Sequence, residues 1–316
     1  MLVAAAASGR SLPGFLAGVI WECWLKGNDR PFPCRQGGGI RLVSCWTGAR
    51  GSARFHALLA PRDKVMPEIA TRAAELLLAA RRDPARRLDD LPPELRPADR
   101  AVAYAIQQQV AAQLGPIGGW KVGPVQADGL PLCGALPASG ILAGPVTIGP
   151  EYRLRGVEAE VAVRIGHDLP PRATPYSPEE VAAAIAAFHP AIEVLESRFV
   201  EPASVPMLTA LADFQSHGAF VFGPGVTEWR GIDLAAESVE QRVDGAVNAT
   251  RTGHPGGDLL GQVIWLANAG SVWAGGLKAG QFVTCGSWTG ANRVAAGAQV
   301  SVRFSSVGEV SLRFAP

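Results

Sequence analysis

The 316-residue chain has 48% hydrophobic residues and a net charge of +1, enough apolar material for a sizeable core in one or two domains. A balance this close to zero excludes the global field that would draw a chain to nucleic acid or to a membrane surface. The charge is unevenly spread, with nine basic and three acidic residues in 1–65, leaving 20 basic and 25 acidic for the remainder.

That first segment also holds Cys23, Cys34 and Cys45, three of the five cysteines, and shows no sustained helical or strand period. Its one apolar run, Leu12 to Leu25, is interrupted by Pro13, Gly14, Gly18 and Glu22. It is too short and broken for a membrane span, and Trp24-Leu25-Lys26-Gly27 is no signal-peptide cleavage site. Residues 1–65 therefore read as a disordered N-terminal extension outside the fold. A single domain is expected over 66–316, and deletion of 1–65 is expected to leave fold and activity intact. Cys133 and Cys285 lie far apart and no paired framework shows, so the expected setting is reducing and cytoplasmic.

Pro67 opens a helix that runs through Leu76 to Arg82 and is ended by Pro84. Asp99 caps a second, in which Val102, Ile106, Val110 and Leu114 recur every four residues before Gly115-Pro116 stops it. These make a helical N-terminal part, 66–118, ahead of a β-rich part, 119–316. Next comes Lys121, flanked by Trp120 and Val122 in a short strand bracketed by glycines. A lysine desolvated there suits proton transfer or the polarising of a carbonyl. An edge-strand lysine that blunts aggregation accounts for the spacing equally well.

From Gly156 to Ile165 the residues alternate as in a strand, with Val157, Ala159, Val161, Val163 and Ile165 on the buried face. Glu158 and Glu160 share the other face, about 7 Å apart at Cα. Two like charges that close repel, and a hard divalent cation with oxygen ligands would reconcile them. A wet face would need no ligand at all. Ser177-Pro178-Glu179-Glu180 is a capping box that opens a helix predicted through Val181, Ala184, Ile185 and Phe188 to His189-Pro190. A strand, Ala191 to Glu196, follows. Glu193 in its middle is costly to bury unless its charge is met, which makes it the natural third oxygen ligand. Glu196 has a simpler partner two residues on, in Arg198.

Met207 to Gln215 reads as a helix, and Ala219 to Phe222 as a buried strand. His254-Pro255-Gly256-Gly257 introduces a helix from Leu259 to Trp273, ended by Gly275-Gly276. Phe282 to Cys285, Val300 to Phe304 and Val310 to Phe314 close the chain as strands, the last two forming a hairpin. There is no internal repeat, and no Walker or dinucleotide glycine pattern.

Six blocks together carry a resemblance: Gly119-Trp120-Lys121-Val122-Gly123, Gly156-Val157-Glu158-Ala159-Glu160, the run Ala191 to Arg198, Leu211-Ala212-Asp213, Trp265 to Asn268, and Gly286-Ser287-Trp288-Thr289-Gly290. From about Met66 to the C terminus the chain resembles the 2-keto-4-pentenoate hydratase and 4-oxalocrotonate decarboxylase branch of the fumarylacetoacetate hydrolase family. The resemblance implies an α+β fold with a rolled, mostly antiparallel sheet and flanking helices. It implies Mg2+ or Mn2+ held by Glu158, Glu160 and Glu193, and a homo-oligomer. The implied substrate is a short 2-oxo or 2-hydroxydienoate acid from aromatic-ring degradation, with no nucleic acid or membrane partner. Lys121 falls beside the site as acid/base or polarising group, supported by Glu196 and Asp213, with Ser287 and Thr289 toward the substrate.

The leading expectation is hydration of such an acid. The alternatives are a decarboxylase of the 4-oxalocrotonate type, which passes through the same enolate, and a catalytically silent partner subunit. Asp213-Phe214 stands where the family often has Asp-Asn, Glu196 where it has Asp, and 124–136 also departs from the hydratase pattern. Substrate choice is thus less fixed than fold or metal. His189 and His217 read as satisfied structural histidines.

Overall fold

The computed structural model describes residues 65–316 throughout, with side chains from residue 68; before that it describes only the backbone of β1 (Ile20–Cys23), β2 (Leu42–Thr47) and β3 (Ala53–Ala57). These three pair antiparallel in the order β1-β3-β2, although the sequence shows no alternation to announce them. The rest of the extension expected over 1–65 lies outside the described residues. Met1–Met66 and Pro67–Pro316 separate as two compact units.

Two helices lead into the second unit, α1 (Val65–Arg82) and α2 (Arg100–Leu114). Asp99 caps α2 by accepting from the Val102 amide at 3.1 Å, and Gly115, at φ 97°, ends it. Val102, Ile106 and Val110 are buried, as their spacing predicts. Gln107, on the same buried side, donates to the carbonyls of Cys133 and Leu211 at 3.2 and 2.6 Å and so fastens α2 to the elements behind it.

The strands then follow as β4 (Ile117–Val122), β5 (Cys133–Pro137), β6 (Ile141–Ala143), β7 (Val146–Ile148), β8 (Gly156–Ile165), β9 (Ile185–Leu195), β10 (His217–Phe222), β11 (Ser238–Val243), β12 (Ala246–Thr252), β13 (Phe282–Thr284), β14 (Asn292–Arg293), β15 (Gln299–Phe304) and β16 (Gly308–Phe314). Between them lie the short helices α3 (Pro178–Ala183), α4 (Met207–Ala212) and α5 (Leu259–Trp265). One sheet runs β5-β4-β13-β8-β9-β10-β6 with β14 on β8, and a second runs β12-β11-β15-β16-β7. Most pairs are antiparallel; β4 with β13, β10 with β6 and β16 with β7 are parallel. The fold is α+β, as the sequence leads one to expect.

The first sheet curls. Leu136 of β5 and Phe220 of β10 stand well apart in the strand order, yet they share one apolar cluster with Ala162, Ala191 and Phe282. Strand β8, at the centre, is buried on both faces rather than one. Its valine face meets Trp120, Ile192, Val194 and Val283, all fully buried. Its other face carries Glu158 and Glu160 toward one end and Ala162 toward the apolar cluster.

Three predicted helices are shortened, each for a tertiary reason. The helix after Ser177 keeps its capping box but ends at Ala183. From Ile185 the chain pairs with β8 along its full length, from Ile165 opposite Ile185 to Gly156 opposite Leu195. Pro190 is tolerated within β9 because its carbonyl accepts from Gly223, so its missing donor faces the end of β10 and not β8. The helix from Leu259 ends at Trp265 in a five-residue π turn, where the Ser271 amide reaches Leu266 O at 3.0 Å. That turn lets the Asn268 amide bond both backbone groups of Tyr176, at 2.7 and 3.1 Å. The helix from Met207 stops at Ala212 because Phe214, Gln215 and Ser216 are left-handed, at φ 54°, 53° and 61°. Among the described residues no helix is long and apolar enough to cross a membrane.

Candidate metal centre

Five adjacent strands each add polar side chains to one end of the curled sheet's inner face. Lys121 comes from β4, Thr284 from β13, Glu158 and Glu160 from β8, Glu193 from β9 and His217 from β10. Register aligns them: Thr284 is paired with Lys121 on one side and Ala162 on the other, and Glu158 stands directly opposite Glu193. Like charges so placed across an antiparallel pair are destabilising. One carboxylate oxygen from each of Glu158, Glu160 and Glu193 lies within 4.8 Å of the others. Glu193 is 0% and Glu160 2% exposed, which removes the wet-face alternative. Glu158 is only partly buried and marks the open side.

Lys121 is 9% exposed and lies between β5 and β13, so it blunts no edge. Its Nζ donates to Glu193 Oε1 at 2.8 Å and to the Gln215 carbonyl at 3.3 Å. His217 Nδ1 meets the same Oε1 at 3.0 Å. Glu193 Oε2 is buried without a protein partner. The Thr284 hydroxyl donates to Glu160. Ser287 stands beside Glu158, near enough to favour its charged form, yet its buried hydroxyl makes no hydrogen bond within normal geometry.

Burial pushes the Glu158 carboxyl up to about 7, with Glu193 adding to the effect and Lys121 opposing it. Burial, then Glu193 and Glu158, hold Glu160 well above the usual carboxylate range. Glu193 feels the same burial, but Lys121 and His217 outweigh it and bring the carboxyl below its ordinary value. Burial likewise works against the Lys121 ammonium, and the three glutamates reverse it and raise the group. Burial lowers His217 in spite of Glu193. Glu193 and Lys121 therefore form the ionised pair, while Glu158 and Glu160 have no cation of their own. Three convergent carboxylates, one with an orphaned oxygen, fit a hard divalent cation far better than zinc, which draws nitrogen and sulfur ligands.

Three residues expected at this site are engaged elsewhere. Glu196 does not pair with Arg198. It pairs with Arg87, accepts from the Leu154 amide at 2.8 Å, and sits 109 residues from its partner in sequence. Asp213 takes Arg198 instead, in a buried pair completed by Ser197 Oγ and the Arg198 amide at 3.2 and 3.1 Å. Thr289 accepts from the Ala159 amide at 3.1 Å and donates to Gln241 at 2.8 Å, so its one O–H donor is committed within the protein.

Two further residues belong to the site, His217, which the sequence presents only as a satisfied structural histidine, and Gln215, which it does not single out. His217 anchors Glu193, a role that depends on β10 lying beside β9. Gln215 offers its carbonyl to Lys121 from a left-handed turn, and its own Oε1 is buried without a partner. A non-glycine left-handed turn leaves no trace in sequence. His189 bonds Gly223 O at 2.8 Å, a structural role as expected.

The profile of the family described as fumarylacetoacetate (FAA) hydrolase C-terminal matches residues 124–315. A 4-oxalocrotonate decarboxylase of Pseudomonas putida is 31% identical over 140 residues, 43% of this chain and 51% of that protein. A 2-hydroxyhexa-2,4-dienoate hydratase of Comamonas testosteroni is 28% identical over 166 residues, 50% of this chain and 59% of that protein. The chain thus spans between half and three fifths of the length of these curated relatives. The solved structure of 4-oxalocrotonate decarboxylase from Pseudomonas putida G7, complexed with magnesium and adipate, superposes with a TM-score of 0.66 at 23% identity, over 78% of this chain and 97% of that one. At that identity the likeness concerns the fold.

Proposed function

The chain belongs to the fumarylacetoacetate hydrolase family, and from that premise we propose that it is a divalent-metal-dependent lyase that adds water to a short 2-oxo or 2-hydroxydienoate acid. One observation carries this reading. Lys121 and His217 hold one oxygen of Glu193, while its other oxygen and the Glu158 and Glu160 carboxylates are left without a protein cation. Mg2+ or Mn2+ on Glu158, Glu160 and Glu193 would supply Lewis-acid stabilisation of negative charge on the substrate's C2 oxygen.

The chain's own part is positional and protonic. Lys121 Nζ has three N–H donors, of which Glu193 and Gln215 take two, leaving one for a substrate oxygen. Burial keeps water from this ammonium, so its charge is screened less at a substrate oxygen than it would be in solvent. The partnerless Ser287 hydroxyl is the natural donor to a substrate carboxylate. The reading includes a homo-oligomer in a reducing cytoplasm, which agrees with Cys133 and Cys285 being free and buried.

The test is loss of absorbance from 2-hydroxypenta-2,4-dienoate with Mg2+. A panel of such dienoates all left untouched would sink the hydratase reading. Lys121→Met is expected to lower turnover by about a hundredfold or more. A decarboxylase is the second reading, supported by the names of the Pseudomonas relatives, and release of CO2 from 4-oxalocrotonate is its signature. A silent partner subunit would show no activity alone and gain it only with a co-purifying enzyme.

A further inference from the structure

His217 faces two ways. Its ring meets Glu193, while its backbone carbonyl accepts from Arg198 Nη1 at 3.0 Å and from Arg81 Nη2 at 3.4 Å. Beyond that carbonyl lies a cavity of about 200 Å³ whose lining includes Arg81, Arg82, Arg87, Arg198, Tyr152 and Ser197. Four guanidinium groups around so small a hollow repel one another unless each is answered. Arg87 is answered by Glu196 and Arg198 by Asp213. Arg81 is not. Its guanidinium lies over the Phe214 ring, 5.8 Å from the centroid, and its Nε is buried with no partner among the described residues. Arg82 is exposed and has no ion pair among them. Glu151, the remaining acid of the lining, turns its carboxylate over Gly149.

We propose that this cavity binds a small oxyanion, a phosphate or a short carboxylate, with Arg81 as its principal donor. A guanidinium presents its N–H groups as a planar fork matched to two oxygens of a carboxylate or phosphate. The hydrogen bond from Nη2 to the His217 carbonyl tethers one arm of that fork before any ligand arrives and leaves Nε and Nη1 for the anion. The volume falls below the roughly 300 Å³ of a drug-sized pocket, which restricts the ligand to a few heavy atoms. Burial and the neighbouring Arg198 push Arg81 down to about 9, a strain that a bound anion relieves. None of Glu158, Glu160 and Glu193 lines the cavity, so the site stands whether or not the glutamates hold a metal.

The experiment is isothermal titration of the full chain, in Mg2+ buffer at constant ionic strength, with inorganic phosphate, acetate and succinate in separate runs. Saturable binding of at least one anion is expected. Tighter phosphate marks a phosphate site, and tighter acetate or succinate a carboxylate site. Affinity is expected to fall about tenfold or more in Arg81→Gln and also in Arg81→Lys, which keeps the charge and a buried amine but loses the fork. It is expected to survive Glu160→Gln. Absence of saturable heat from all three anions overturns the proposal, as does binding that persists in both Arg81 variants. Binding lost in Glu160→Gln also overturns it, because the anion would then belong to the glutamate cluster.

Discussion

Glu193 and Glu196 are three residues apart, both largely buried, and they anchor two different kinds of charge cluster. Around Glu193, three carboxylates share a single ammonium, and one oxygen has no protein partner. Around Glu196, each acid has its own arginine, Glu196 with Arg87 and Asp213 with Arg198, and beside these two closed pairs Arg81 is the buried group left open. A closed pair satisfies its own desolvation and needs only packing to explain it. An open cluster is stable only with something added from outside. Completeness of pairing, not the mere presence of buried charge, separates a brace from a site.

The comparison is broken most sharply at Asp213. Replacing it with alanine strands a buried Arg198, and the loss is expected to be about 3–5 kcal/mol, the same with Mg2+ as with EDTA. Urea denaturation of both forms measures it, and a loss under about 1 kcal/mol would mean that the closed cluster is no brace. The open cluster should behave in the opposite way. Mg2+ at a hundred times its dissociation constant is expected to stabilise the wild type by about 2.7 kcal/mol and to do almost nothing for Glu160→Gln. A wild-type melt indifferent to both Mg2+ and Mn2+ would refute the site.

In the metal-free protein the same cluster should make stability depend on pH. Burial raises Glu158 and Glu160 above their unfolded values, so the folded state keeps protons that the unfolded state has lost. Their contribution is whole below about pH 4.5 and falls as pH rises, the Glu158 share being lost toward 7. Glu193 is lowered and runs the other way, losing its contribution only below its unfolded value. Stability in EDTA should therefore fall between pH 5 and 7, and Glu160→Gln should flatten the slope. A flat wild-type profile would count against the open cluster. The smallest effect is expected at Gln215. Glycine there should stabilise the protein by about 1 kcal/mol, because it accepts the left-handed conformation without strain. The same change should lower turnover by loosening the carbonyl that holds Lys121. Equal turnover with raised stability would show that the turn is only a connection.

What the sequence disclosed was local. The alternation of β8, the Asp99 cap, the capping box at Ser177 and the closing hairpin each depend on neighbours within a few residues, and all are where the pattern places them. The helical period from Val181 to Phe188 is just as regular, but pairing with β8 outweighs it from Ile185 onward. The glutamates and Lys121 were legible because buried charge in an apolar strand stands out by itself. Their surroundings were not, since partners are set by topology. Arg198 lies two residues from Glu196 and yet serves Asp213, whereas Arg87 arrives from the far side of α2 in sequence. Ser287 and Thr289 share one short motif, but the turn at Gly286, φ 104°, leaves one hydroxyl beside Glu158 and spends the other on β8.

The register between β8 and β9 has a consequence for folding fidelity. A slip of one residue would turn every side chain of β9 to the opposite face. Glu193 would then enter the layer now held by Ile192 and Val194, beside Trp120 and Val283, with neither Lys121 nor His217 in reach. A mispaired hairpin would carry a naked carboxylate into hydrocarbon on top of its lost apolar contacts. Glu193, unfavourable opposite Glu158 in the correct register, is far more unfavourable in the wrong one, and so it selects the pairing on which the site depends.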